Sequence, residues 1–177
     1  MLSSIVQQAD YAEDQKGAKT ILTAHVLYRG FQSGAVVGLG IGLARSIVLR
    51  RQNAARNLLQ QAILRLTGVG TVIGTGLMVI ALLMRMYGRD NIEWNDRSFR
   101  LLANKPQEQV DDWTVPSTVL GFGATIFSGA VKGHGSWRIA TGGAGLGSLA
   151  GLGSLMGFRI FKPGNSASPS RSVTNLS

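Results

Sequence analysis

The chain has 177 residues, 45% of them hydrophobic and only 15% charged, against roughly 25% charged in an ordinary soluble domain. Its 24 glycines follow no three-residue period and its apolar residues are too many and too clustered, which excludes collagen-like and largely disordered chains. With no cysteine there is no disulfide framework, thiolate metal site or cysteine nucleophile, and at a net charge of +9 the placement of the basic residues becomes decisive.

Residues 1–29 read as a polar to amphipathic segment. Asp10, Glu13 and Asp14 precede the first arginine, and no uninterrupted apolar run comes before Gly30. Neither a secretory signal nor an Arg-rich, acid-poor presequence has that pattern, so targeting information is expected inside the mature chain. The first charge-free run, 30–44, ends at Arg45. Completed by 46–49 it gives a first span over 30–49, and it can equally be extended backwards through 21–28. Three longer runs follow at 66–84, 113–131 and 139–158. At roughly 1.5 Å per residue each approaches the roughly 30 Å hydrocarbon thickness of a bilayer. Such runs leave too little polar surface for a soluble shell.

Between the second and third runs, 90–112 reads as an amphipathic loop. Within 91–102, Ile92, Phe99 and Leu102 alternate with Glu93, Asp96, Arg97 and Arg100, which fits a short helix on the membrane surface or against a neighbouring protein. Trp94, Phe99, Leu102 and Trp113 are its candidate partner-docking residues. Trp113 and Trp137 stand where the third and fourth spans begin, as interfacial anchors do, and Asp111 and Asp112 suit the positive end of the third helix. Residues 162–177, rich in Ser, Asn and Pro, are expected to be disordered. The expected fold is an all-α membrane protein with a four-helix domain over 30–161.

Glycine spacing indicates how those helices pack. Gly30, Gly34, Gly38 and Gly42 recur every four residues in the first span, and Gly70 and Gly74 continue the pattern in the second. Gly121 and Gly129 share a row with Thr125 in the third. Gly143, Gly147 and Gly151 form one row of the fourth, beside Gly145, Gly153 and Gly157. Small residues at this spacing let backbones approach closely in lipid, and glycine costs about 1 kcal/mol against alanine in a helix. Such repetition therefore needs a packing reason, and GxxxG-type faces are expected. Thr67, Thr71 and Thr75 line up at the same spacing as a polar stripe of the kind transport would use, but being uncharged they equally fit interhelical hydrogen bonding.

With four spans both termini share one side. The loops 45–65 and 132–138 on the other side carry Arg45, Arg50, Arg51, Arg56, Arg65, Lys132 and Arg138 and no acid. Short acid-free loops of this kind are expected in the cytoplasm or matrix, with both termini in the outer compartment. Arg45, Arg50, Arg51, Arg56 and Arg65 are also candidates for anionic lipid headgroups, structural cardiolipin among them. Nucleic acid is not an expected partner, since the basic residues are split between loops without interleaved aromatics. No catalytic constellation appears. His25 and His134, the two histidines, fall on opposite faces, the glycine runs lack the strand and acid of a dinucleotide site, and no acid lies within the spans as drawn. No cofactor or metal is expected, and no enzyme.

Four spans, glycine rows led by Gly30, Gly34, Gly38 and Gly42, Arg45 soon after that ladder and the glycines of the fourth span together resemble the mitochondrial inner-membrane translocase channel superfamily. That group also holds a four-helix accessory subunit of respiratory complex I and plastid preprotein and amino-acid transporters. The resemblance covers about 30–161. The acidic, Trp-bearing insert 90–113 departs from the short connections of the channels and looks more like an accessory subunit with its own docking segment. The resemblance implies a non-catalytic subunit stabilising the membrane arm of complex I, multi-pass in the inner membrane with both termini in the intermembrane space. Its partners would be lipids and other integral membrane subunits. The alternative it implies is a component of a preprotein or small-solute translocase.

Overall fold

A computed structural model describes residues 9–131 and 135–161. After a 3-10 turn at Ala12–Asp14 come five helices: α1 Ala18–Arg51, α2 Arg56–Met86, α3 Asn91–Leu102, α4 Lys105–Phe127 and α5 Ser136–Phe161. No strand occurs among the described residues. α1, α2 and α5 are long and apolar enough to cross a membrane.

Local chemistry sets the ends. Gly17 precedes α1 in a left-handed conformation, and Asn53, also left-handed, turns the chain after Arg50 and Arg51, whose charges suit the negative end of a helix. Asp90 and Asn104 precede α3 and α4, and the Asn104 side chain accepts from Gln107 N.

Helix directions follow from the residues that face one another. Gly30 meets Gly74, Gly34 meets Gly70 and Gly38 meets Leu66, the descending register of an antiparallel α1–α2 pair. Gly121 meets Gly143, Ser117 meets Gly147 and Trp113 meets Gly151, so α4 and α5 are antiparallel too. α5 also leans on α2, where Gly142 approaches Leu64 and Gly68 approaches Arg138. The three long helices converge at Gly145. A Cβ there would lie 2.9 Å from Thr71 Cγ2 and 3.2 Å from Ala35 Cβ.

Ile21, Met86, Ile139 and Leu155 are buried, but most large apolar side chains lie outside the interior. The largest fully buried side chains are Thr67, Thr71, Thr114, Ser98 and Ser148, while Leu77 is 61% exposed, Leu120 72% and Met84 78%. Soluble proteins bury their large apolar residues and rarely leave such faces open.

Several sequence boundaries move. α1 begins twelve residues before Gly30, so 18–29 belongs to that helix rather than to a separate polar segment; His25, Tyr28 and Arg29 face the bundle and no breaker interrupts the helix. α2 likewise starts at Arg56, well before 66. α4 starts at Lys105, so the stretch 90–112 is α3 plus two turns of α4. Glu108, not Asp111 or Asp112, is the acid of its first turn. α4 ends at Phe127, with Ser128 and Gly129 in a turn where Gly129 has φ 67°, which removes Gly129 from the packing row. Its charge-free part, 113–127, is only about 22 Å long. The interval 132–134 and the tail 162–177 lie outside the described residues, and with them the expectations for Lys132, His134 and a disordered tail.

Candidate functional site

The most polar part of the interior lies between α1 and α4. His25, Tyr28, Arg29 and Gln32 occur three and four residues apart and so share one face of α1. Gln107, Asp111, Thr114 and Thr118 do the same on α4. Arg29 donates to the Asp111 carboxylate and to the Gln32 amide oxygen, and the carboxylate is almost wholly buried. The Gln107 amide, with its oxygen turned toward Arg29, accepts from Nε at 2.8 Å. On the other side of Asp111, His25 Nδ1 lies 3.8 Å from Oδ2. Gln32 Nε2 donates to Ser148 Oγ at 3.1 Å, and the Tyr28 hydroxyl is 3.0 Å from Thr118 Oγ1 and 3.3 Å from Ser148 Oγ. One connected network thus ties α1, α4 and α5 together. Beside His25 and Asp111 a cavity of about 30 Å³ has room for about two waters. A guanidinium and a carboxylate that satisfy each other and the neighbouring amides form a neutralised, closed cluster, suited to holding helices rather than passing solutes.

The charge-free runs cannot reveal this pair, because a run defined by the absence of charge excludes Arg29 and Asp111 from every span. The signal that was available is the helical spacing of 25, 28, 29 and 32, a polar stripe facing one way.

A second feature lies at the opposite end of the bundle. Arg45 of α1, Arg65 of α2 and Arg138 of α5 line one groove of about 350 Å³ together with Leu49, Leu58, Leu66 and Val69. Of the five arginines expected at lipid headgroups, Arg45 and Arg65 are brought together here. Arg50, Arg51 and Arg56 sit at the α1–α2 turn and do not line the groove, and Arg138 joins it instead. Arg138 also lies over the Trp137 ring, 5.3 Å from its centroid.

The glycines expected at packing faces are mostly at helix contacts. A Cβ at Gly34 would come within 2.7 Å of the Gly70 carbonyl carbon, at Gly38 within 2.8 Å of Thr67 Cα and at Gly151 within 2.6 Å of Trp113 O. Gly42 is looser, 3.0 Å from Ile63 Cα. Thr71 and Thr75 do not bridge helices as expected: their hydroxyls donate back to Gly68 O and Thr71 O of their own helix. Thr67 Oγ1 is buried with no hydrogen-bond partner. Thr67→Val, which keeps the shape and removes the stranded hydroxyl, is expected to raise stability by about 1 kcal/mol in a detergent unfolding titration.

The expected docking residues are partly used within the chain. Trp94 has Lys19 Nζ over its ring, 5.9 Å from the centroid, and Leu102 lines the small cavity with Ile21 and His25. Phe99 is part-buried on α3, and Trp113 packs on Phe158 with ring centroids 5.8 Å apart.

A family model described as a protein of unknown function, DUF1757, matches residues 3–141. The chain belongs to that family. No curated protein and no solved structure matches it. The DUF1757 region takes in Arg29 and Asp111 and all three groove arginines, and it ends early in α5, before Ser148.

Proposed function

We propose that this DUF1757 protein is a four-crossing membrane subunit, non-catalytic, that stabilises a larger membrane assembly. The observation that carries the reading is the small-residue interior: mostly glycine, alanine, threonine and serine between the helices, with leucine, valine, isoleucine and phenylalanine widely exposed around them. In water that arrangement would expose far more apolar surface than a soluble chain tolerates, whereas in lipid it is the expected one. Close glycine contacts support helix packing through GxxxG-type faces, with α4 as the shortest crossing. On the resemblance of its glycine rows and Arg45, the assembly is the membrane arm of respiratory complex I in the mitochondrial inner membrane, with both termini in the intermembrane space.

A translocase component is the second reading, favoured by the polar stripe of α1. Against it, those side chains are spent on one another, and the adjoining cavity holds about two waters rather than a path. Native gel electrophoresis of mildly solubilised mitochondria tests both. Co-migration of the chain with NADH dehydrogenase activity is expected; a band holding import components, or the chain alone, would overturn the accessory-subunit reading.

A further inference from the structure

We infer that the groove of Arg45, Arg65 and Arg138 is a binding site for one anionic phospholipid, whose acyl chain lies along the α1–α2 seam. The inference rests on the membrane reading above and names a ligand for it.

Three guanidiniums from three different helices converge on one groove, and none of them pairs with a carboxylate among the described residues. No Asp or Glu occurs anywhere between 15 and 89 or after 112, so the sequence holds no acid that this end of the bundle could use. Guanidinium matches phosphate oxygens geometrically as well as electrostatically. A phosphate is therefore the complementary group.

The apolar side of the site distinguishes a lipid from a free phosphate. Leu66 and Val69 line the arginine groove and also a second groove of about 300 Å³ that runs on along the same two helices. On α1 its wall follows Ser33, Val37 and Ile41 at four-residue spacing, a row that Arg45 and Leu49 continue. On α2 it follows Leu66, Val69, Ile73 and Leu77. Its floor is formed by Gly34, Gly38 and Gly70, so there is no side chain between wall and wall. From Leu66 to Leu77 the helix rises about 16 Å, against about 15 Å for half of a bilayer's hydrocarbon. The arginines thus stand at headgroup level and the apolar groove spans one leaflet.

The test uses the full-length protein purified in mild detergent, with native mass spectrometry of retained lipid after exposure to phosphatidylglycerol, cardiolipin or phosphatidylcholine. Retention of the two anionic lipids should exceed that of phosphatidylcholine by about tenfold or more. Each arginine near a headgroup contributes a factor of roughly five, so Arg45→Gln, Arg65→Gln and Arg138→Gln together should lower anionic retention about a hundredfold. Arg50→Gln, Arg51→Gln and Arg56→Gln together remove the same charge outside the groove and should change it less than threefold. Ile73→Trp, which obstructs the apolar track, should weaken retention without altering headgroup preference. Should the triple groove variant lose its helical circular dichroism, Arg138→Gln alone should still show the roughly fivefold loss. Equal losses from the two triple variants, or no headgroup preference, would overturn the site, and an unaffected Ile73→Trp would overturn the acyl track. Failure to retain any phospholipid, with the chain soluble without detergent, would instead overturn the membrane reading itself.

Discussion

Alanine at Gly142 or Gly34 is expected to cost about 3 kcal/mol or more, whereas alanine at Gly76 or Gly153 should be neutral or stabilising by up to about 1 kcal/mol. All four substitutions add one methyl group to a helix. At Gly142 the new carbon would come within 2.8 Å of the Leu64 carbonyl carbon, and at Gly34 within 2.7 Å of that of Gly70. Backbone cannot swing aside as a side-chain tip does, so relief requires α5 to move off α2, or α1 off α2. At Gly76 and Gly153 nothing lies within 4 Å, and the methyl group only lowers the entropy of the unfolded chain. Reversible unfolding in mixed micelles reads all four directly. Equal stabilities across the set would mean that the helices do not meet at these faces.

Asp111→Leu should destabilise the bundle by about 3–5 kcal/mol, because it leaves the Arg29 guanidinium inside without its counter-charge. Arg29→Met should cost a similar amount by stranding the carboxylate. The double variant Arg29→Met with Asp111→Leu should recover most of the loss, since replacing a buried ion pair with apolar groups of similar volume is often close to neutral. Thermal unfolding of the four proteins completes a double-mutant cycle with a large coupling energy. Additive losses would show that the two side chains act independently, in which case the network does not hold α1 to α4.

The sequence marked where the apolar helices lie because segments with exposed apolar faces and glycine-rich segments are both free of charge. It did not mark where they begin. α1 runs on through His25 and Arg29, and α4 begins ahead of Asp111, because polar residues pointing into a bundle interrupt neither helix geometry nor burial. Arg29 and Asp111 lie 82 positions apart, and no local pattern can pair residues so distant without knowing which helices are neighbours. The arginine groove was half legible for the same reason. Arg45, Arg65 and Arg138 each border a charge-free run, but only the crossing of α5 over α2 at Gly68 and Gly142 brings Arg138 to the other two.

The shortness of the apolar part of α4 has a consequence for whatever surrounds it. If α4 crosses as proposed, about 22 Å of apolar helix in a film of roughly 30 Å would be mismatched on one flank of the molecule, and the film would thin locally to meet it at a cost of fractions of a kcal/mol per Å. That cost falls when another short crossing, or a second dimpled surface, shares the thinned annulus. The α4 flank, bearing Leu120 and Phe127 outward, is thus where elastic attraction would gather neighbours before any specific contact forms.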